Sequence, residues 1–136
     1  MVVNLNLGIF YLDMLKMKSR VQLTWQLTMK DEVILENIKF ADTFFNRLIG
    51  LMGKSKLNSD EGLIIRPCNS IHTFFMKFNI DVVFVDSDFI IVDVYLDLAP
   101  WKISKIYGNA EFVIEGKAGS LAKLKKGNQI KIVKKA

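Results

Sequence analysis

One cysteine and one histidine, Cys68 and His72, stand four residues apart in Pro67-Cys68-Asn69-Ser70-Ile71-His72. A thiol beside an imidazole is the pairing that activates a sulfur nucleophile. Strand geometry weighs against it here. Four residues along a straight strand separate side chains by about 13 Å, so only a turn at Pro67–Ser70 would bring the two within hydrogen-bond reach. No glycine-rich elbow or helix start follows Cys68 to lower its pKa or build an oxyanion hole. The pattern favours a buried thiol and a hydrogen-bonded imidazole, with Cys68 kept as a candidate reactive thiol and no catalytic residue assigned. Two soft ligands fall short of the four a zinc site uses, so neither a metal nor a cofactor is expected.

Arg47, Lys77, Asp81 and Glu115 carry charge inside otherwise apolar stretches. Such groups are costly to bury unless paired. One reading is a salt bridge or two tying a helix to the sheet. The other is a rim of fixed charges around an apolar mouth, the layout of a small-ligand pocket. With His72 they form the candidate ligand-binding set. The acids Asp81, Asp86, Asp88, Asp93 and Asp97 lack the glycine and closing glutamate of a calcium loop, and Asp86-Ser87-Asp88 reads as a turn. Phe74, Phe75 and Phe78 beside Lys77 resemble a stacking platform for nucleic acid. Strand alternation would send about half of these rings into the core, with Phe74 and Phe78 on one face and Phe75 on the other.

These residues must be positioned by a mainly β chain. Val21 to Lys30 alternates strictly, with Val21, Leu23, Trp25, Leu27 and Met29 on one face, and VILENIKFA returns after Asp31-Glu32. Asp42 or Thr43 caps a short helix with Phe44, Phe45, Leu48, Ile49 and Met52 at helical spacing, and Gly53 stops it. GLIIRP, Ser70–Phe78, the two halves of Asp81–Leu98, NAEFVIEG and NQIKIV are further strands. In the second half of Asp81–Leu98, alternation puts Ile90, Val92, Val94, Leu96 and Leu98 on one face. SLAKLKK after Gly119 reads as a second short helix, capped by Ser120 and closed by Gly127. The expectation is a compact antiparallel β-sandwich or partly closed, jelly-roll-like barrel with about two short helices. It forms a single domain over 21–136, preceded by an N-terminal extension at 1–20.

The chain has 136 residues, 51% hydrophobic and 24% charged, enough to bury a core in one domain. Its net charge of +5 is local, since seven lysines and no acid follow Glu115. Lysines on a short helix and an edge strand serve solubility, and arginine, the residue of phosphate and base forks, is scarce. The apolar start, MVVNLNLGIFYLDMLKMKSR, places its positive charges after the apolar stretch, the reverse of a secretory signal, and its longest uncharged run, Met1 to Leu12, is too short to span a bilayer. It is expected to be an added element or sequence upstream of a start at Met14 or Met17. The reading is cytoplasmic, with a lone reduced thiol.

From about Phe40 to Val133 the motif order is specific. Arg47 with Gly50-Leu51-Met52, Phe75-Met76-Lys77 with Ile80-Asp81, Asp86 before a turn, and Glu115 with Ala118-Gly119 follow in sequence. In this the chain resembles the prokaryotic family called domain of unknown function 192. The resemblance implies a mainly β jelly-roll or sandwich fold and no established activity. Phe78-Asn79 departs from the family's commoner pattern, and the N-terminal segment lies outside it.

The function expected from the residues is a non-catalytic binding module for a small polar or anionic ligand, or for a partner protein's segment, at Arg47, His72, Lys77, Asp81 and Glu115. A hydrolase using Cys68 or a carboxylate is the alternative, and a polyanion or RNA contact through the lysine-rich C-terminus is a second. Nucleic acid is disfavoured as a partner and no membrane contact is expected.

Overall fold

Alternating and β-branched apolar stretches supply the strands, and the seven strands among the described residues join one sheet. The computed structural model describes residues 24–135. In chain order they form β1 (Trp25–Met29), β2 (Glu32–Ala41), helix α1 (Phe44–Ile49), β3 (Glu61–Ile65), β4 (Ile80–Val85), β5 (Ile91–Leu98), β6 (Phe112–Lys117) and β7 (Lys131–Lys134). Across the sheet the order is β5-β4-β6-β3-β2-β1-β7. β2 and β3 run parallel, with Phe40 opposite Ile64, and the other pairs are antiparallel. A parallel pair cannot be joined by a tight hairpin, and α1 lies in the connection that makes it. Thr43 caps α1 by accepting the Asn46 N–H at 3.1 Å, and Gly50, at φ 50°, ends it.

Both faces of the sheet are covered, so the central strands are buried on both sides. One core gathers Trp25, Leu27, Leu35, Ile114 and Leu121; the other gathers Leu51, Ile71, Met76, Val82 and Phe84. Along β6, Phe112 and Ile114 enter the first core and Val113 the second, which puts Glu115 on the second face. Gly116 follows because a Cβ there would lie 2.6 Å from Ser120 Oγ and 3.2 Å from Leu121 Cγ.

Several expectations need correction. The sheet is single and not closed into a barrel. An isolated bridge, Ile90 to Gln129, links the segments leading into the edge strands β5 and β7, but no ladder grows from it. α1 is the one helix among the described residues. Ser120–Lys126 folds as successive turns, with Ser120 N–H on Lys117 O and Leu124 N–H on Leu121 O, which bury Leu121 and Leu124. Ser70–Phe78 is no strand: Phe75 takes φ 63°, the Met76 N–H turns back to Thr73 O, and one bridge, His72 to Ile103, is all its pairing. The uniform face expected on β5 is also broken. Ladder shifts opposite Phe84/Val85 and Ile80/Val82 send Ile91 and Val94 to the first core and Val92, Tyr95 and Leu98 to the second. The 1–20 extension and the start of the first strand, Val21 to Leu23, lie outside the described residues. No helix among the described residues is long and apolar enough to cross a membrane.

Candidate functional site

On the second face, α1, the end of β3 and the irregular segment after it enclose a cleft of about 380 Å³, part of it open to solvent. Arg47, Cys68, His72 and Glu115 line it, over an apolar wall that includes Leu51, Ile71 and Met76. Four of the six residues singled out by sequence thus meet in one place.

Glu115 is the chemical centre of this cleft. It is 4% exposed, and its carboxyl has no hydrogen-bond or ion-pair partner among the described residues. Burial disfavours its charged form and raises its pKa to about 8. The carboxyl is therefore mostly protonated at neutral pH and presents an O–H donor. Beside it, Gly50 leaves room, since a Cβ there would stand 3.8 Å from Glu115 Oε2.

Arg47 projects from α1, where its Nη1 donates to Pro67 O at 3.1 Å, tying the helix to the end of β3. Its Nε is buried and unpartnered. The expected salt bridge is replaced by this bond to a carbonyl. Such a bond leaves the guanidinium charge uncompensated.

Cys68 and His72 share the cleft but not a bond. The Cys68 thiol donates to Ser70 O at 3.0 Å, and burial pushes its pKa up, away from the thiolate. The His72 Nδ1 accepts the Phe74 N–H at 3.2 Å, which places the proton of the neutral ring on Nε2. A nucleophile needs the reverse arrangement, a thiol facing a base and a lowered pKa.

Lys77 and Asp81 stand apart from this group. Lys77 is exposed and makes no ion pair among the described residues. Asp81 is fully buried on the other face, where Oδ2 accepts the N–H groups of Gly119 at 2.9 Å and Leu121 at 3.0 Å. Its Oδ1 accepts the Asp97 N–H at 2.9 Å, a donor released by the β5 irregularity, where Asp97 has φ 53°. Asp81 is a fastener of turns. The other acids divide similarly: Asp86 Oδ1 takes the N–H groups of Asp88 and Ile90, closing the expected turn. Asp93 accepts from the Tyr107 hydroxyl, itself 2.8 Å from that of Tyr95. Burial, and then Asp93, drive the Tyr107 pKa far up. No group of metal-ligating side chains gathers among the described residues.

Sequence reasoning missed Ser70, Met76 and Gly50 as walls of the cleft, and the Tyr95–Tyr107–Asp93 chain. Only Gly50 carried a signal, as a glycine directly after an apolar helix.

A family model, DUF192, described as Uncharacterized ACR, matches residues 25–132. The chain is 38% identical over 99 residues to a UPF0127 protein of Pyrococcus horikoshii, taking in 69% of this chain and 85% of that one. It is also 38% identical over 94 residues to a UPF0127 protein of Thermococcus sibiricus, 66% of this chain and 60% of that one. A solved protein of unknown function from Novosphingobium aromaticivorans has a similar fold, with a TM-score of 0.70 at 21% identity over 82% of this chain and 86% of that one. A putative transcription regulator from Sinorhizobium meliloti has a TM-score of 0.68 at 17% identity, over 82% and 92%.

Proposed function

The chain belongs to the uncharacterised DUF192 family, and from that premise we propose a function read from the cleft itself: non-catalytic binding of a small ligand bearing an oxyanion such as a carboxylate or phosphate. The observation that carries it is the pair of unanswered polar groups, the Arg47 Nε and the Glu115 carboxyl, lining one cleft. A buried donor without a partner is destabilising, and native proteins retain such groups chiefly where water, an ion or a ligand completes them. With Glu115 protonated, both groups are donors and the cleft carries the single positive charge of Arg47, so an anionic acceptor is the complement. His72 also lines the cleft, and its Nδ1 is already taken by the Phe74 N–H. A partner's C-terminal carboxylate presents the same chemistry as a free metabolite.

A cytoplasmic setting is part of this proposal and rests on the lone Cys68 thiol, which stays reduced there. The test is a titration of the protein with inorganic phosphate and with acetate, followed by backbone amide shifts. The expected result is saturable shifts at Gly50, Cys68 and His72 below pH 8, abolished by Arg47→Ala. No saturable shift at these residues with either anion would refute the proposal.

A further inference from the structure

We propose that the exposed apolar edge built by the loops around Phe75 and Trp101 docks on an anionic membrane surface. Phe75 is 60% exposed, Trp101 61% and Ile103 70%. The Phe75 and Trp101 rings touch at 4.8 Å, and Phe74 lies 5.7 Å from Trp101. Ile103 joins them by bridging to His72, whose ring stands 4.9 Å from that of Phe74. Ile106, 77% exposed, extends the same loop.

This edge is held in place rather than loosely displayed. The Thr73 N–H bonds Lys102 O at 2.9 Å, the Trp101 N–H bonds Thr73 O at 3.0 Å, and the Ser104 N–H bonds Ile71 O at 3.0 Å. The buried Thr73 hydroxyl donates to Ala99 O at 2.8 Å and accepts the Lys102 N–H at 2.9 Å. Phe75 and Trp101 take φ values of 63° and 65°, a backbone that bulky residues rarely adopt. The pinned loops hold both in that strained form, with their side chains largely in solvent.

Charge selects the occupant. Residues 69–80 and 99–110 hold Lys77, Lys102 and Lys105, all exposed, against one neighbouring exposed acid, Asp97, whose Oδ1 accepts from Asn79 Nδ2 at 3.0 Å. Tryptophan and aliphatic side chains with lysines in the same loops are what the boundary of an anionic bilayer favours. A protein interface of ordinary composition is depleted in lysine. Single-stranded nucleic acid needs free ring faces, whereas Phe75 and Trp101 pack edge to face and the most exposed apolar side chains are isoleucines. Surface docking needs no membrane-crossing helix, so the sequence argument against a span does not bear on it.

The test uses the full chain with phosphatidylcholine vesicles, with and without phosphatidylglycerol, read by co-sedimentation and tryptophan emission. Trp25 is buried, so a blue shift on binding reports Trp101. The expected result is salt-sensitive binding to the phosphatidylglycerol vesicles with that blue shift. Binding should weaken about tenfold or more in F75N/W101N, since it scales with buried apolar area. Asparagine tolerates the left-handed backbone, which protects the fold. K77Q/K102Q/K105Q should lose the preference for phosphatidylglycerol and keep its melting temperature. Absence of binding, binding that survives F75N/W101N, or retention on single-stranded oligonucleotides in place of vesicles would each overturn the proposal.

Discussion

Asp81 and Glu115 lie one register step apart on neighbouring strands and serve opposite faces of the sheet. β4 and β6 pair Asp81 with Gly116 and Val82 with Glu115. The Asp81 carboxylate is saturated by three backbone N–H groups, whereas the Glu115 carboxyl has none. Two acids of similar burial therefore do different work: one fastens the first core's turns, the other sits unanswered in a cleft.

Replacing Asp81 should cost stability and leave the cleft intact. Asp81→Ala strands the N–H groups of Gly119, Leu121 and Asp97, and a loss of about 3 kcal/mol or more is expected from hydrogen bonds to a buried charge. Chemical denaturation measures it. A loss below 1 kcal/mol, on the order of a single neutral bond, would contradict the fastening role.

Glu115 should make the fold less stable as pH rises. Its folded pKa, about 8, lies above the unfolded value near 4.5, so the native state binds the extra proton between them. Its contribution is fully present below about pH 4.5, declines across the window at up to about 1.4 kcal/mol per pH unit, and is gone above pH 8. Glu115→Gln, neutral throughout, should remove that slope. Denaturation midpoints of the two proteins at pH 5, 6.5 and 8 would show it, and parallel curves would speak against a buried, uncharged acid.

Lys77→Ala should change neither stability nor anion binding at the cleft, because the side chain is exposed and makes no ion pair among the described residues. A shift beyond about 0.5 kcal/mol, the usual limit for plain surface changes, would show a partner that the geometry does not contain.

The Cys68 thiol should react sluggishly. Burial raises its pKa and its proton is committed to Ser70 O. Alkylation at neutral pH is expected to be slower than for a free thiol in the native protein and normal after unfolding. Reaction faster than the free thiol would revive the nucleophile.

Much of the strand content was legible: β1 alternates apolar and polar residues, and β4 and β6 are short apolar runs because they are buried on both faces. Legibility failed where tertiary hydrogen bonds outvote local pattern. SLAKLKK has helical spacing, but the Asp81 carboxylate takes the Gly119 and Leu121 N–H groups and sets a chain of turns. Phe74 to Phe78 looks like alternation until the left-handed Phe75 breaks it. The ladder shifts of β5 change which face a residue serves, and no single sequence announces a bulge. For the site, charge inside apolar runs found Arg47 and Glu115, yet could not say that Asp81 would meet backbone and Lys77 would meet water.

The decisive measurement is calorimetric titration with inorganic phosphate and with acetate at pH 6 and pH 9.5, on the wild type and on Glu115→Gln. At pH 6 Glu115 is protonated and donates; at pH 9.5 it is an anion that repels the ligand and offers no proton. Wild-type binding at pH 6 should largely disappear at pH 9.5, with a weaker pH dependence in Glu115→Gln. Wild-type binding of equal strength at both values, or no binding of either phosphate or acetate at pH 6, would contradict it.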